Sequence, residues 1–247
     1  MKAPYPIVVE CFGIPGVGKT HVASRVCRFL EAEGISTNDL GIVIGKANSF
    51  NRIFQKTRLI LRATANQPSA LKIVFRMVKL HRPKKIRYWV KLIVNWLYVG
   101  AVISDRSQPS AVRVLDQGVG QAVWSTRFYG LEAPKQEVLV DALMELLETL
   151  PIAALLIVSI AAPDEVVLDR IRNRRGGRSA LDKDEGSWER ASEVTRATNR
   201  VLECLTCQST RISLSVYTNH QSDGKDDGNL LNDTLGTWIA SRVSHLV

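Results

Sequence analysis

Residues 13–20 read Gly-Ile-Pro-Gly-Val-Gly-Lys-Thr, three glycines followed by an ammonium and a hydroxyl. Glycine takes backbone conformations that other residues avoid. Gly13, Gly16 and Gly18 can therefore curl the main chain until successive N–H groups face one anion. Pro15 and Val17 occupy the positions between them. The spacing G-x-x-x-x-G-K-T is that of a phosphate-binding loop, in which Lys19 reaches the β- and γ-phosphates of a nucleotide and the Thr20 hydroxyl ligates Mg²⁺. A helix starting at this point would add the positive end of its dipole.

Two further groups could take part in such chemistry. Asp116 follows the strand-like residues Val112–Leu115 and begins an Asp-Gln-Gly turn. An acid at the end of a buried strand is placed to hold Mg²⁺ or to accept a hydroxyl proton. Farther on, Arg170, Arg172, Arg174, Arg175 and Arg178 cluster around Gly176-Gly177. Arginines that close over a phosphoryl group in transfer stabilise the charge on its equatorial oxygens, and a glycine pair can supply the hinge. Arg170 is expected against the nucleotide, and Arg174 and Arg178 against the reacting phosphoryl group. The expected lid covers 170–187.

These residues need a scaffold that brings them to one edge. Ile7–Phe12 is an apolar run of strand length ahead of the glycine loop. Val22, Ala23, Val26 and Leu30 then recur at helical spacing. Ile35-Ser36 is expected to open a short second strand, Ala111–Leu115 to form a third, Ile152–Ile160 a fourth and Arg211–Tyr217 a fifth. Ile152–Ile160 is apolar without alternation, as in a central parallel strand. Helices are expected between them, including 48–66, one through Leu71–Val78, one opened by Pro83, 119–128, 134–150, 163–171, 187–207 and 229–246. Alternating strands and helices predict an α/β, three-layer fold with a mainly parallel sheet and its ligand along the strands' carboxyl ends. All 247 residues read as one domain, carrying a helical, basic insertion at 40–104.

That insertion has an unusual charge pattern. Between Asp39 and Asp105 there are thirteen cations, from Lys46 to Lys91, and no acid. The whole chain carries +9, so the remainder is net acidic. A single-sign block of this length predicts an anionic partner near 46–91, either an acceptor molecule or an anionic surface. Lys72, Arg76 and Lys79 would share one helix face. The stretch Leu92–Ser104 is apolar nearly all round, which suits a core helix first and an interfacial helix second; Arg87 and Lys91 interrupt a membrane span. The four cysteines lie in expected strand or helix positions, with no second pair to complete Cys204-x-x-Cys207 as a metal site. No apolar leader precedes the first strand, so a cytoplasmic location is expected, with peripheral membrane contact through the basic helices.

The glycine loop, the strand ending in Asp-Gln-Gly and the arginine-rich segment together resemble the nucleoside-monophosphate-kinase-like P-loop kinases, a group that includes adenylate and thymidylate kinases. The layout is also similar to P-loop proteins associated with bacterial surface-polysaccharide gene sets. The resemblance implies an ATP·Mg²⁺-dependent phosphotransferase, with the segment between the second and third strands forming the acceptor side. The chain departs from the group after the third strand, where Asp116-Gln-Gly replaces the Asp-Arg-Tyr or Glu-Arg-Ser expected there. Acceptor contacts therefore do not carry over. The competing reading is a P-loop NTPase that binds nucleic acid or an anionic membrane without a small acceptor. There is no Asn-Lys-x-Asp run for guanine and no Leu-Ser-Gly-Gly signature of a transporter ATPase.

Overall fold

Five short strands, each following a turn or helix, assemble into one parallel sheet in the computed structural model, which describes residues 5–39, 49–66, 68–105, 110–173, 186–219 and 235–245. The chain runs β1 (Ile7–Phe12), α1 (Lys19–Ala32), β2 (Thr37–Asn38), α2 (Ser49–Asn66), α3 (Pro68–Leu80), α4 (Ile86–Ser104) and β3 (Val112–Leu115). It continues through α5 (Val119–Tyr129), α6 (Gln136–Thr149), β4 (Ala154–Ala161), α7 (Asp164–Arg172), α8 (Gly186–Gln208), β5 (Ile212–Thr218) and α9 (Gly236–Ser244). Strand order is β2-β3-β1-β4-β5, and every pairing is parallel.

The order reverses across β1, whose neighbours are β3 and β4. In such sheets the ligand crevice opens beyond the strands' carboxyl ends at the reversal. Here the chain leaves β1 through the glycine loop. All six residues of β1 and all four of β3 are buried, as strands covered on both faces must be. The register pairs Glu10 with Leu115, so Asp116 emerges level with the last residues of β1.

The α/β alternation expected from the sequence is present. The second strand starts two residues later than expected, at Thr37. Pro83 does not open a helix: it makes an antiparallel bridge to Gly130, and α4 begins at Ile86. A proline is compatible with either place, because it lacks an N–H and only the helix's first turn or an edge tolerates that. The expected lid at 170–187 is described only at its start, up to Asn173, and at its end from Gly186.

The helices α2, α3 and α4 form the layer that the chain builds between leaving β2 and entering β3. Its buried side is apolar: Met77 and Val78 from α3 and Leu92, Trp96, Val99 and Ile103 from α4 belong to the main core. Inside that core Trp96 donates its indole N–H to Thr126 Oγ1 at 2.9 Å, tying α4 to α5. Most of Leu92–Ser104 thus packs into the protein core, with Val94 exposed. The carboxyl end of α4 is fixed from the sheet. Buried Arg113 on β3 donates to the Val102 carbonyl at 3.0 Å and also to those of Ile103 and Asp105. A cation satisfying the last carbonyls of a helix is favoured by both hydrogen bonding and the dipole. Because Arg113 lies three residues before Asp116, one strand positions both the helical layer and the acid.

Candidate active site

The glycine loop adopts the conformations that its glycines permit. Gly13, Gly16 and Gly18 have φ of 155°, 95° and 98°, all positive. Space is as restrictive as torsion. A Cβ on Gly13 would come within 2.6 Å of the Ile160 carbonyl, and one on Gly16 within 2.8 Å of Ile171. β4 and α7 thus press on the loop from outside and leave no room for a side chain.

The loop's peptide planes are fixed by residues distant in sequence. Asn219, one residue past β5 and buried, donates Nδ2–H to the Val17 carbonyl at 3.0 Å. Its own backbone N–H donates to Ala161 at 2.7 Å, extending the β4–β5 pairing. Arg170, from α7, donates to the same Val17 carbonyl at 3.3 Å. In a planar trans peptide a fixed carbonyl fixes the following N–H in the opposite direction, here that of Gly18. Lys19 donates Nζ–H to the carbonyls of Gly13 at 2.8 Å and Ile14 at 3.0 Å, which holds its charge across the mouth of the loop.

Thr20 lies in the first turn of α1 and Asp116 at the end of β3, yet Thr20 Oγ1 donates to Asp116 Oδ2 at 2.7 Å. The sequence separates them by 96 residues. A hydroxyl and one carboxylate, both hard oxygen donors beside the glycine loop, suit Mg²⁺, which takes one or two carboxylates and leaves other positions to phosphates and water. No group of three or more His, Cys, Asp or Glu side chains able to hold a metal occurs among the described residues. The oxygen pair is thus the set that Mg²⁺ would use.

Behind this pair is a residue that the sequence reading did not single out. Glu10 is fully buried in β1 and accepts backbone N–H bonds from Gly118 at 3.1 Å, Gly120 at 3.1 Å and Gln121 at 3.0 Å. Burial pushes its carboxyl above the ordinary range, and these backbone donors pull the other way. The contact binds the Asp116-Gln-Gly turn and the start of α5 to the strand that launches the glycine loop. It also explains Gly118: a Cβ there would be 2.6 Å from the Glu10 carboxyl. A glutamate inside the apolar run Ile-Val-Val-Glu-Cys-Phe was the available signal.

From the loop a cleft of about 680 Å³ extends between α4 and α5. That is within the size range of small-molecule sites. Pro15, Gly16, Gly18, Lys19, Thr20, Asp116 and Arg170 line one end. Lys56, Lys91, Asn95, Tyr98, Gln121, Trp124 and Tyr129 line the other. Lys56 Nζ lies 4.1 Å from the centre of the Tyr98 ring, and Lys91 Nζ donates to Tyr129 Oη at 2.9 Å. Two polar atoms here are buried and have no hydrogen-bond partner among the described residues: Tyr98 Oη and Gln121 Oε1. Burial, with the nearby Asp116 charge, raises the Tyr98 hydroxyl to about 12, so it stays a donor at neutral pH.

The structure thus brings Gly13, Gly16, Gly18, Lys19, Thr20, Asp116 and Arg170 together. Arg174 and Arg178 lie outside the described residues. Among the described cations of the basic block, Lys56 and Lys91 line the cleft. Lys72, Arg76 and Lys79 are exposed on α3 away from it, and Arg76 pairs with Glu145 of α6. Free thiols occur at Cys204 and Cys207 on α8, and neither lines the cleft. No protein-family model matches the sequence, and no curated protein matches it at significance.

Proposed function

We propose that the protein is an ATP-dependent phosphotransferase of the P-loop NTPase class, working with Mg²⁺. The observation that carries this reading is the 2.7 Å contact of Thr20 with Asp116 at the lip of the glycine loop. Two oxygen donors from distant parts of the chain meet where the γ-phosphate of a nucleotide held by the loop would lie. The sheet order, with the acid-bearing strand directly beside the loop-bearing strand, supports the same assignment.

In this reading the loop N–H groups cradle the phosphate chain, and Lys19 moves from its own carbonyls to the β- and γ-oxygens. Thr20 and Asp116 would hold Mg²⁺, which would neutralise charge on the phosphoryl oxygens. Arg170 steadies the nucleotide side, and Arg174 and Arg178 meet the charge that spreads over the transferred group. The acceptor hydroxyl attacks phosphorus, giving up its proton to water, as the bond to the leaving ADP oxygen breaks; catalysis is chiefly positioning and electrostatics. The large cleft beyond the loop favours a small or lipid-linked acceptor over an NTPase that has none. Lys56 and Lys91 give that end of the cleft a positive potential.

Calorimetry of ATP with and without Mg²⁺, followed by an ATP-dependent phosphorylation screen of nucleotides, sugars and lipid-linked glycans, tests the proposal. Asp116→Asn should retain ATP binding and lose about 100-fold in rate, the scale of a lost proton-transfer or metal-positioning group. ATP affinity that ignores Mg²⁺, or full turnover by the Asn variant, overturns it.

A further inference from the structure

Twelve large hydrophobic side chains are exposed among the described residues, and eight of them lie between Ile53 and Val94. Single exposed apolar residues are normal on soluble proteins. Eight within one helical layer are a concentration that calls for a partner. On α4 they are Ile86, Val90 and Val94, spaced i, i+4, i+8 along one stripe, and Ile86 is 80% exposed. On α2, Ile53, Phe54 and Leu61 fall within one third of the helix circumference and are also exposed.

The charges interleaved with this apolar surface are all of one sign. Lys84, Lys85 and Arg87 surround Ile86, and Arg58 and Arg62 flank Leu61; all five are exposed. Elsewhere the layer does neutralise its cations: Arg76 pairs with Glu145 and Arg82 with Glu132. Among the described residues no such pair forms at Lys84, Lys85, Arg58 or Arg62. Arg76 and Arg82 are thus paired with acids of α6 and of the segment before it, while Arg58, Arg62, Lys84 and Lys85 stand beside bare aliphatic side chains.

We propose that this outer face of α2 and α4 docks on an anionic lipid bilayer. A polyanion in water, such as a nucleic acid, would be met by the cations but offers nothing to Ile53, Leu61, Ile86 and Val90. An anionic membrane takes both: aliphatic tips at the headgroup–acyl boundary and cations at the phosphates. The helix α4 is long and apolar enough to span a membrane by composition. Its packing argues for lying in the interface instead, because Leu92, Trp96, Val99 and Ile103 are committed to the protein core. Val94 belongs both to the exposed stripe and to the lining of the cleft. A bilayer on this face would sit beside the cleft mouth, where an acceptor carried by a lipid could enter.

The test needs neither nucleotide nor acceptor. Flotation of the full chain with phosphatidylcholine vesicles, with and without phosphatidylserine, should show binding only in the anionic case and loss of binding as salt rises. Two variants at exposed positions separate the terms, with thermal melts checking that both stay folded. Lys84→Gln/Lys85→Gln/Arg87→Gln should weaken vesicle binding by roughly 100-fold, the scale for three cations near an anionic surface. Ile86→Ser/Val90→Ser keeps every charge and should weaken binding by at least about 10-fold through lost apolar insertion. Absence of binding to anionic vesicles overturns the proposal. So does unchanged binding by the serine variant, which would make the face a docking site for water-soluble polyanions. Either result leaves ATP binding, and with it the proposed phosphotransfer, unaffected.

Discussion

The two ends of the cleft are built in different ways. At the glycine-loop end several side chains are committed to backbone: Lys19 to the loop carbonyls, Asn219 and Arg170 to Val17, Glu10 to the amides of Gly118, Gly120 and Gln121. At the other end Tyr98 Oη and Gln121 Oε1 have no partner among the described residues, and lysines lie on aromatic rings. A site for a common cofactor can be made of main chain and locked in advance, at the cost of requiring glycine. A site that selects one acceptor is made of side chains whose remaining hydrogen bonds wait for the ligand, since buried unpaired polar groups reject molecules that fail to satisfy them.

The strongest way to break this contrast is at Lys19. Lys19→Ala removes the charge at the loop mouth but leaves the glycine geometry, which depends on Ile160, Val17 and Ile171. The rate should fall by about 1,000-fold, the upper range for losing one preorganised donor. Thermal stability should hardly change, because the residue is only partly buried. Phosphotransfer at near wild-type rate in this variant would show that the loop does not bind the nucleotide's phosphates.

A smaller effect should appear at the other end. Lys56→Gln and Lys91→Gln should each raise the KM for an anionic acceptor by about 10-fold, the low end for a hydrogen bond to a charged group, since both lysines are partly open to water. The KM for ATP should stay within about 2-fold, because neither residue touches the loop. Equal effects on both substrates would mean that the ends of the cleft are not separate.

The same contrast explains what could be read from the sequence. The loop is written in consecutive residues because its constraint is local: each glycine answers a torsion or a clash at its own position. Asp116 was legible because it follows a strand-like stretch, and the parallel sheet follows from helices alternating with strands. Asn219 was not legible, since its role depends on β5 ending beside β1's loop, a fact of topology. Lys56, Tyr98 and Gln121 come from three helices and meet only after packing. The basic block was visible as composition, but composition could not say which cations face the cleft, which pair with Glu145 or Glu132 and which stand beside bare aliphatic side chains.

The smallest predicted effect concerns stability rather than turnover, at the joint that sets the two ends relative to each other. His81 closes α3, is buried, and donates Nδ1–H to the Met77 carbonyl at 2.9 Å. Its own carbonyl accepts the N–H groups of Leu131 and Glu132 beyond α5. Nε2 has no partner among the described residues, so the ring is buried neutral. Burial lowers its pKa from 6.5 to about 4. Between those values the unfolded chain binds a proton that the folded chain does not, so acid favours unfolding. Stability should be complete above about pH 6.5 and decline as pH falls toward 4. At about 1.4 kcal/mol per pKa unit, lowering the pH from 7 to 5.5 should cost about 1 kcal/mol through this group. Urea melts at the two pH values measure it, with His81→Gln as the reference that lacks the titration. The expected result is a difference in pH dependence of about that size between the two proteins; parallel pH dependence would mean that the ring protonates in the folded state and that the joint is open to water.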